Sequence, residues 1–427
     1  MTASFPVVEE SAVRLSLADD ISVCEQCRLC VDLCDVFPSI FDALALVADA
    51  DPHLLTPHQQ NVVSDSCFHC GACTQRCPHR GPTSEHDIDL PKSFIDLMEV
   101  RRLGGYFTIR QRITNWVLST PDLIGPLASR CSPSINWLMQ QPKTLRRQFV
   151  TALTGISSSV RIPLVSRERF SKWFRRQELP VTGDRPLVGV FPTCSVEYFS
   201  DAAARSAIGE ITSRGRSCHL VTTRCCGAEE LRSGRVRAFR KRVGRLVKLL
   251  ENESSTDPIM VMSPSCLTHL RTNLVPHCEV AYKSRAESVI GRLQSPLEVL
   301  SGLSTSSTDV MSSSSDNADS KPVVFLPSPH DGHAEREAFE RRVGVKTTVQ
   351  TIEDAGLMMG AWALRHGNEE SARRIVQRMV TRRGTPGDAP QTVARSGLLS
   401  SQMLAEETGD RIVDPLVVLA EISNDGQ

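Results

Sequence analysis

Eight cysteines near the N-terminus constrain this chain more than any other feature. They form two runs with the spacing C-x2-C-x2-C-x3-C, and the second run is followed by Pro78. Three thiolates in one short loop can occupy three corners of a cubane [4Fe–4S] cluster, while the fourth cysteine leads away to the other cluster. The runs therefore predict two clusters with crossed ligands: Cys24, Cys27, Cys30 and Cys77 for cluster A, and Cys67, Cys70, Cys73 and Cys34 for cluster B.

Two other uses of cysteine fit these runs less well. Zinc ribbons are built from separate C-x2-C pairs rather than from runs of four. Disulfide frameworks are typical of short secreted chains, whereas this chain has 427 residues and we see no signal peptide in its first 22. The fifteen cysteines therefore favour metal ligation in a reducing, cytoplasmic setting.

Composition argues against several classes of function. Lys+Arg and Asp+Glu both number 49, so the net charge is zero, unlike the basic excess of a dedicated nucleic-acid binder. No apolar run reaches the roughly 18–20 residues that span a membrane. We find no G-x-G-x-x-G motif, so we expect a flavin or nicotinamide to belong to another chain.

Changes in apolar pattern divide the chain into six segments. Near the end of the second segment, Tyr106–Leu118 is amphipathic, with Ile109, Ile113 and Trp116 at helical spacing. Arginines recur in the residues that follow it. That region is either a surface that docks on a partner or an anionic membrane, or a helical spacer with a solvated basic face, and we favour the spacer. The predicted segments are an N-terminal tail or leading helix (1–22), a dicluster module (23–120), a helical connector (121–185), a first α/β lobe (186–300), a Ser-rich linker (301–320) and a second lobe (321–427).

Further cysteines follow the three predicted strands of the first lobe, Leu187–Phe191, His219–Thr222 and Ile259–Met262. Open α/β sheets bind ligands beyond the carboxyl ends of their strands. Four thiolates meeting there could hold a third Fe–S cluster, a zinc ion or a redox-active pair. These candidate cofactor-binding residues are Cys194, Cys225, Cys226 and Cys266, whereas the isolated Cys131, Cys218 and Cys278 are predicted to be buried core residues.

Charged side chains near these cysteines have two interpretations. Asp32, Asp35, Arg76 and His79 flank the two N-terminal runs, where they could tune reduction potentials or face solvent. The arginines and lysines of the predicted helix Val236–Leu250 lie opposite its apolar face, so we expect them to be solvated.

The second lobe repeats the first without its cysteines. Segment 322–329 matches 186–194, segment 351–356 matches 222–227, and a third strand is predicted at Thr392–Arg395. The lobe is therefore predicted to keep the scaffold without its thiolates, with His330, Asp331 and His333 as polar-site or surface residues. The residues at the cysteine positions are Pro329, Asp354, Ala355 and Gly397.

Four motifs carry a family resemblance: CRLCVDLCDVFPSIFDAL (27–44), FPTCSVEY (191–198), RCCG (224–227) and SPSC (263–266). With the two runs, they resemble the iron–sulfur subunits of anaerobic glycerol-3-phosphate dehydrogenase, glycolate oxidase and heterodisulfide reductase, and most closely the first of these. The resemblance implies an α+β multidomain fold, in which an α-helical ferredoxin-like dicluster module precedes two Cys-Cys-Gly lobes, the second degenerate. Some relatives carry a second cysteine where this chain has His269.

The resemblance implies an electron-transfer subunit. Its two clusters would relay electrons between a partner, expected to be a flavin dehydrogenase, and a quinone or protein acceptor. Two alternatives remain open: a self-contained redox enzyme with a cluster or thiol site in the first lobe, and a non-redox Fe–S scaffold or sensor. The expected location is cytoplasmic, with peripheral association at the inner face of the membrane through a partner.

Overall fold

The structure is a computed structural model that describes residues 9–81, 84, 86–177, 187–221, 224–251, 257–303, 322–329, 332–343, 347–353, 357–383 and 391–424. Helices fill the described part of the chain before residue 187, and two four-stranded parallel sheets follow. The mixed helix and sheet content predicted from the sequence is therefore present.

Five helices form the N-terminal module. Helix α1 includes most of the segment predicted as tail or leading helix, and its last turn carries Cys24 and Cys27. The helix ends because Arg28 takes a left-handed φ of 52°, with its N–H donating to the Cys24 carbonyl. Apolar side chains of α1, α2 and α5 fill the core between the helices. The helices are α1 (Glu10–Cys27), α2 (Val36–Leu44), α3 (Pro57–Asp65), α4 (Ala72–Arg76) and α5 (Leu90–Leu103).

Five more helices follow, the first in the last part of the predicted dicluster module and the other four in the predicted connector, and we call all five the connector from here on. The first of them exposes much of its apolar side. The apolar residues Ile109 and Trp116 are 78% and 48% exposed, while the buried residues of that helix include Thr114 and Asn115. Polar contacts fix this orientation, since Thr114 Oγ1 donates to the Thr154 carbonyl at 2.5 Å and Asn115 accepts from Arg365. The helices are α6 (Ile109–Ser119), α7 (Pro121–Arg130), α8 (Ser132–Met139), α9 (Leu145–Thr154) and α10 (Phe170–Phe174).

The first sheet has the strand order β2-β1-β3-β4, with all neighbours parallel. Its three predicted strands are present within a residue or two of their expected bounds. The fourth strand has only two residues, too few to give an apolar pattern. The strands are β1 (Val188–Phe191), β2 (Cys218–Leu220), β3 (Ile259–Val261) and β4 (Leu293–Gln294), and the helices are α11 (Thr193–Tyr198), α12 (Ala202–Ser213), α13 (Ala228–Arg232), α14 (Val236–Glu251), α15 (Pro264–His277), α16 (Lys283–Arg292) and α17 (Pro296–Gly302).

The second sheet has the order β6-β5-β7-β8, again all parallel, so its strands connect as those of the first sheet do. Helix α17 runs through Gly302, so the predicted linker boundary at 301 is too early. Residues 304–320 lie outside the described residues. The strands are β5 (Val323–Phe325), β6 (Val349–Thr351), β7 (Thr392–Ala394) and β8 (Arg411–Val413), and the helices are α18 (Gly332–Val343), α19 (Glu369–Arg383), α20 (Leu398–Thr408) and α21 (Pro415–Asn424).

The N-terminal module packs on the second lobe, although they lie far apart in sequence. Trp362 contacts the Phe68 ring with centroids 5.6 Å apart, and its indole N–H donates to the Asp65 carbonyl at 2.9 Å. Residues of α19 and α20 share one apolar core with α1, α2 and α5. The second lobe therefore forms one wall of the cysteine-rich module. Among the described helices, none is both long and apolar enough to cross a membrane.

Candidate metal centres

The first group of thiols gathers at the end of α1. Cys24 and Cys27 lie in its last turn, Cys30 follows in the next turn, and Cys77 comes directly after α4. Burial raises the pKa of Cys24 to about 12, with Asp20, Cys77, Cys30 and Cys27 adding to the effect as neighbours. The structure thus brings Cys77 to the first run rather than leaving it with its own run.

The second group lines one enclosed, otherwise apolar cavity. Cys34 of the first run meets Cys67, Cys70 and Cys73 there. Burial raises the pKa of Cys34 to about 12, and the Cys70 thiol raises it further. The crossed sets predicted from the spacing are therefore the sets that lie together. The groups also adjoin each other, because burial raises the pKa of Cys73 and Cys30 of the first group adds to that rise.

His69 lies between Cys67 and Cys70, a position that we did not single out from the sequence. Its φ of 52° is unusual for a side chain other than glycine, and its backbone N–H donates to Cys67 Sγ at 3.3 Å. Both ring nitrogens are buried without a hydrogen-bond partner among the described residues. Burial, with Arg232 and Arg365 nearby, lowers the pKa of His69 to about 3, so the ring is neutral.

The charged residues flanking the runs have different environments. Asp35 is 2% exposed and is held by two arginines of α19, Arg374 at 2.5 Å and Arg378 at 3.3 Å. Asp32 is exposed, although its carbonyl accepts from Arg382 of the same helix. Asp35 is therefore paired with two arginines of α19, and no pattern in the sequence identifies that pairing.

Four thiols of the first lobe lie beyond the carboxyl ends of β1, β2 and β3, as the sequence predicts. Cys226 Sγ is 3.3 Å from Cys266 Sγ. Cys225 is in hydrogen-bond contact with both Cys194 and Cys226, so the thiols form a continuous chain from Cys194 to Cys266. Gly227 follows the pair with φ 89°, and a Cβ there would lie 2.8 Å from the Phe239 ring.

A buried ion-pair network supports this thiol chain from outside the predicted motifs. Asp122 of the connector accepts from the Cys225 backbone N–H at 2.8 Å and from Arg242 at 2.6 Å. Arg242 also pairs with both carboxylate oxygens of Glu230 at 2.8 and 3.0 Å. The expectation that the charged face of the Val236–Leu250 helix is solvated is therefore wrong for Arg242. The helical period places Arg242 away from the apolar stripe, and only the connector makes that side buried.

Two further predictions about single residues need correction or extension. Cys131 is exposed, and Cys278 is partly exposed, so only Cys218 of the three isolated cysteines is a buried core residue.

His269, which replaces the second cysteine of some relatives, has a buried Nε2 without a partner among the described residues. Burial lowers the pKa of His269 to about 3, so it is neutral.

Corresponding strand ends of the second lobe hold no thiol in the described residues. Gly397 precedes α20 with φ 101°, and a Cβ there would lie 2.9 Å from the Met358 side chain. Arg395 is 1% exposed, and its guanidinium donates to the Leu357 carbonyl. Asp354, Ala355, His330 and Asp331 lie outside the described residues, and nothing is described of the His333 side chain.

The donor chemistry of these sites suits iron–sulfur clusters, each of which is held by four cysteine thiolates. All twelve predicted ligands are thiols, the ligand type that Fe–S clusters take.

Comparisons with known proteins identify both parts of this arrangement. A family described as a 4Fe-4S dicluster domain matches residues 23–80, and a family described as a cysteine-rich (CCG) domain matches residues 188–271. One anaerobic glycerol-3-phosphate dehydrogenase subunit, from Escherichia coli (strain K12), is 24% identical over 174 residues. The protein of the same name from Escherichia coli O157:H7 matches equally well.

These matches are partial in extent. Each covers 40% of this chain and 43% of the relative, so the chain aligns with less than half the length of these curated relatives. No solved structure matches. The matched domains and relatives confirm the resemblance indicated by the sequence motifs.

Proposed function

We propose that this Cys-Cys-Gly iron–sulfur protein, similar to a subunit of anaerobic glycerol-3-phosphate dehydrogenase, is the electron-transfer subunit of an oxidoreductase. The observation that carries the proposal is the convergence of eight thiols into two adjoining groups in the N-terminal module. Adjoining groups are what a relay needs, because electrons must pass from one cluster to the other. The matched dicluster domain supports the same assignment.

Two [4Fe–4S] clusters would be held by the crossed sets. Cys24, Cys27, Cys30 and Cys77 would hold cluster A, and Cys34, Cys67, Cys70 and Cys73 would hold cluster B. When bound, the clusters supply reversible one-electron transfer. The chain provides the apolar wall around the second group, formed by side chains such as Phe37, Phe68 and Phe94. It also provides the N–H of His69, which is aimed at Cys67 Sγ.

Two observations suggest the electron donor and acceptor: the names of the relatives, and a nucleotide-binding motif that this sequence lacks. The relatives are named as subunits of a dehydrogenase, and this sequence has no G-x-G-x-x-G motif. We therefore propose a flavin dehydrogenase as electron donor and a quinone or a protein as acceptor. The substrate chemistry would belong to the partner chain.

A self-contained redox enzyme is the second candidate, because the four thiols of the first lobe form one continuous, supported site. Asp122 and Arg242 hold the backbone beside Cys225, and the Gly227 N–H lies 3.4 Å from Cys225 Sγ. A third Fe–S cluster or a thiol pair could occupy this site.

A non-redox Fe–S scaffold or sensor is the third candidate, favoured by the second lobe. Its sheet has the strand order of the first lobe, and we propose that it is a degenerate copy.

One preparation tests the first candidate against the other two. Protein purified anaerobically with its partner should contain about eight irons or more and show reducible [4Fe–4S] EPR signals. Cys226→Ala should leave those signals intact and leave electron transfer from the dehydrogenase to an artificial acceptor within twofold of wild type. Loss of turnover with intact signals would favour the self-contained enzyme. Potentials that no physiological donor can reach would favour the scaffold or sensor. Cys131→Ala is the control, since that thiol is exposed and far in sequence from every predicted ligand.

We also propose a cytoplasmic protein that associates peripherally with the inner face of the membrane through its partner. We further propose that the connector, for which the sequence favoured a spacer, contributes to this contact. The support is a set of exposed apolar side chains on the connector, interspersed with the exposed arginines Arg110 and Arg130. Apolar side chains framed by basic ones suit an anionic lipid surface. The exposed residues are Ile109, Trp116, Leu123, Leu127, Trp137, Leu145, Phe149 and Leu153.

Vesicle sedimentation checks the proposed location. The protein and its complex should sediment with vesicles containing phosphatidylglycerol more than with neutral vesicles. The double variant Trp137→Ser and Phe149→Ser should lower the bound fraction severalfold, because two exposed rings are lost. Exposed Leu249 lies on α14 of the first lobe, so Leu249→Ser is the matched control and should bind as wild type does. Equal binding by all three proteins would contradict the proposal.

A further inference from the structure

A cationic cleft runs from the protein surface to the side of the second thiol group. Its inner part, about 230 Å³, is lined by Cys67, His69 and Trp362 among others. Its outer part, about 510 Å³, lies between the start of α6 and the loop after α13. Phe107 and Asn115 line both parts, so the two adjoin at these side chains. A combined cleft of this size is in the range of small-molecule sites.

Six arginines line this cleft against a single carboxylate, that of Asp65, among the described lining residues. Asp65 is already paired with Arg101 at 2.7 Å, outside the cleft lining. Two of the six arginines share the nearby Glu229, Arg232 at 2.7 Å and Arg365 at 3.3 Å. The six arginines are Arg102, Arg110, Arg112, Arg232, Arg235 and Arg365.

The other four arginines have no carboxylate partner among the described ion pairs. Arg235 donates to Ser119 Oγ at 2.6 Å, and Arg112 donates to the Phe107 and Gly105 carbonyls. These neutral acceptors do not offset the positive charges of Arg112 and Arg235. Burial lowers the pKa of Arg102 and the neighbouring Arg235 lowers it further, while Glu99 opposes the shift. A cleft lined by one sign of charge concentrates ions of the opposite sign.

At the inner end, the two ring nitrogens of His69 are buried and lack partners among the described residues. Unsatisfied buried polar groups are rare in folded proteins, and each one calls for a partner. The two nitrogens of an imidazole ring can each take part in a hydrogen bond. Gln111 and Thr114, both of α6, add further polar groups to the same cavity.

We infer that this cleft is a binding site for a small organic anion that carries a carboxylate or a phosphate group. Arginine guanidinium groups bind both groups through paired, charge-assisted hydrogen bonds. The bound anion would lie beside Cys67, a proposed ligand of cluster B. This second part of the inference rests on the proposed function: negative charge at that position lowers the reduction potential of cluster B. By linkage, the anion binds more tightly when that cluster is oxidised.

Calorimetry on the anaerobic, iron-loaded protein tests the binding step. Inorganic phosphate and succinate are titrated separately, with sodium chloride at matched ionic strength as the reference. We expect one of them to bind with a stoichiometry near one, and the better binder identifies the group that the cleft prefers. The double variant Arg102→Gln and Arg110→Gln should bind roughly tenfold more weakly or worse, since each charge-assisted hydrogen bond is worth about that factor. Arg373→Gln, which removes an exposed charge on α19 outside the cleft lining, should bind within twofold of wild type.

A redox titration followed by EPR tests the coupling. Saturating anion should shift one of the two cluster potentials to more negative values, and the shift should be absent in the double arginine variant. No binding, or binding equal in all variants, overturns the inference. Binding without a shift overturns its second part. These failures are distinguishable from failure of the proposed function, because the iron content and EPR signals of the same preparation report on the clusters directly.

Discussion

Replacing Cys34 together with Cys70 by alanine should remove one cluster, whereas replacing Cys34 together with Cys27 should remove both. Under crossed ligation the first pair belongs to one cluster and the second pair to two. Cys34 lines the same cavity as Cys70, whereas Cys27 is a neighbour of Cys24. We expect about four irons to remain in the first variant and close to none in the second. Iron and sulfide assays with EPR quantify both.

Uncrossed ligation predicts the reverse result for the same two proteins. Cys34 and Cys27 would then share a cluster, and that variant would keep about four irons. Each variant lacks two thiols, so a general loss of stability affects both alike. The double variant Cys131→Ala and Cys278→Ala also loses two thiols, neither of them a predicted ligand, and should keep the full iron content. Because only the pairing differs, the two results cannot be confused.

Removing the two arginines that hold Asp35 should destabilise the N-terminal module by about 2–3 kcal/mol. Asp35 is 2% exposed, and Arg374 and Arg378 supply its ion pairs. Breaking a buried pair on one side leaves an uncompensated charge, which costs about 3–5 kcal/mol when both partners are buried. The side chain of Arg374 is 45% exposed, so the screened value is lower. The double variant Arg374→Gln and Arg378→Gln is therefore expected to unfold at a lower urea concentration.

Two probes follow this unfolding. Visible absorbance reports loss of the clusters, and tryptophan fluorescence reports unfolding, with a contribution from Trp362, which lies in the same interface against Phe68. Arg373→Gln is the matched control, because Arg373 is an exposed residue of the same helix with no described ion pair. Adding Asp35→Asn to the double variant should recover part of the loss, since no charge is then buried unpaired. A double variant as stable as the control would contradict this account.

The same variant has an electrostatic consequence for the proposed cluster B. Arg378 lies close enough to Cys34 to oppose the rise in the pKa of that thiol, which burial causes. Losing this positive charge should lower the reduction potential of the cluster that Cys34 holds, in the direction set by local charge. A redox titration of the double variant against Arg373→Gln measures the shift. The second lobe would then contribute charge to the redox centre in place of ligands.

The amino-acid sequence by itself determined which thiols belong together. Spacing within the two runs predicted the crossed sets, because a short loop can supply only three ligands to one cluster. The strands before Cys194, Cys225 and Cys266 were also evident, since buried parallel strands form short apolar runs. Local signals of this kind involve residues a few positions apart. They can be read from the sequence, although each crossed set joins cysteines of two runs that the fold brings together.

Contacts between distant segments were decided by the tertiary structure alone. Asp35 meets Arg374 across 339 residues of chain, and Asp122 meets Arg242 across 120. Helical periodicity marked Arg242 as solvated. That expectation fails because a helix shows which residues share a face and not which face a neighbour covers. The thiol sets follow from local chain geometry, whereas their charged surroundings follow from how the lobes and the connector pack.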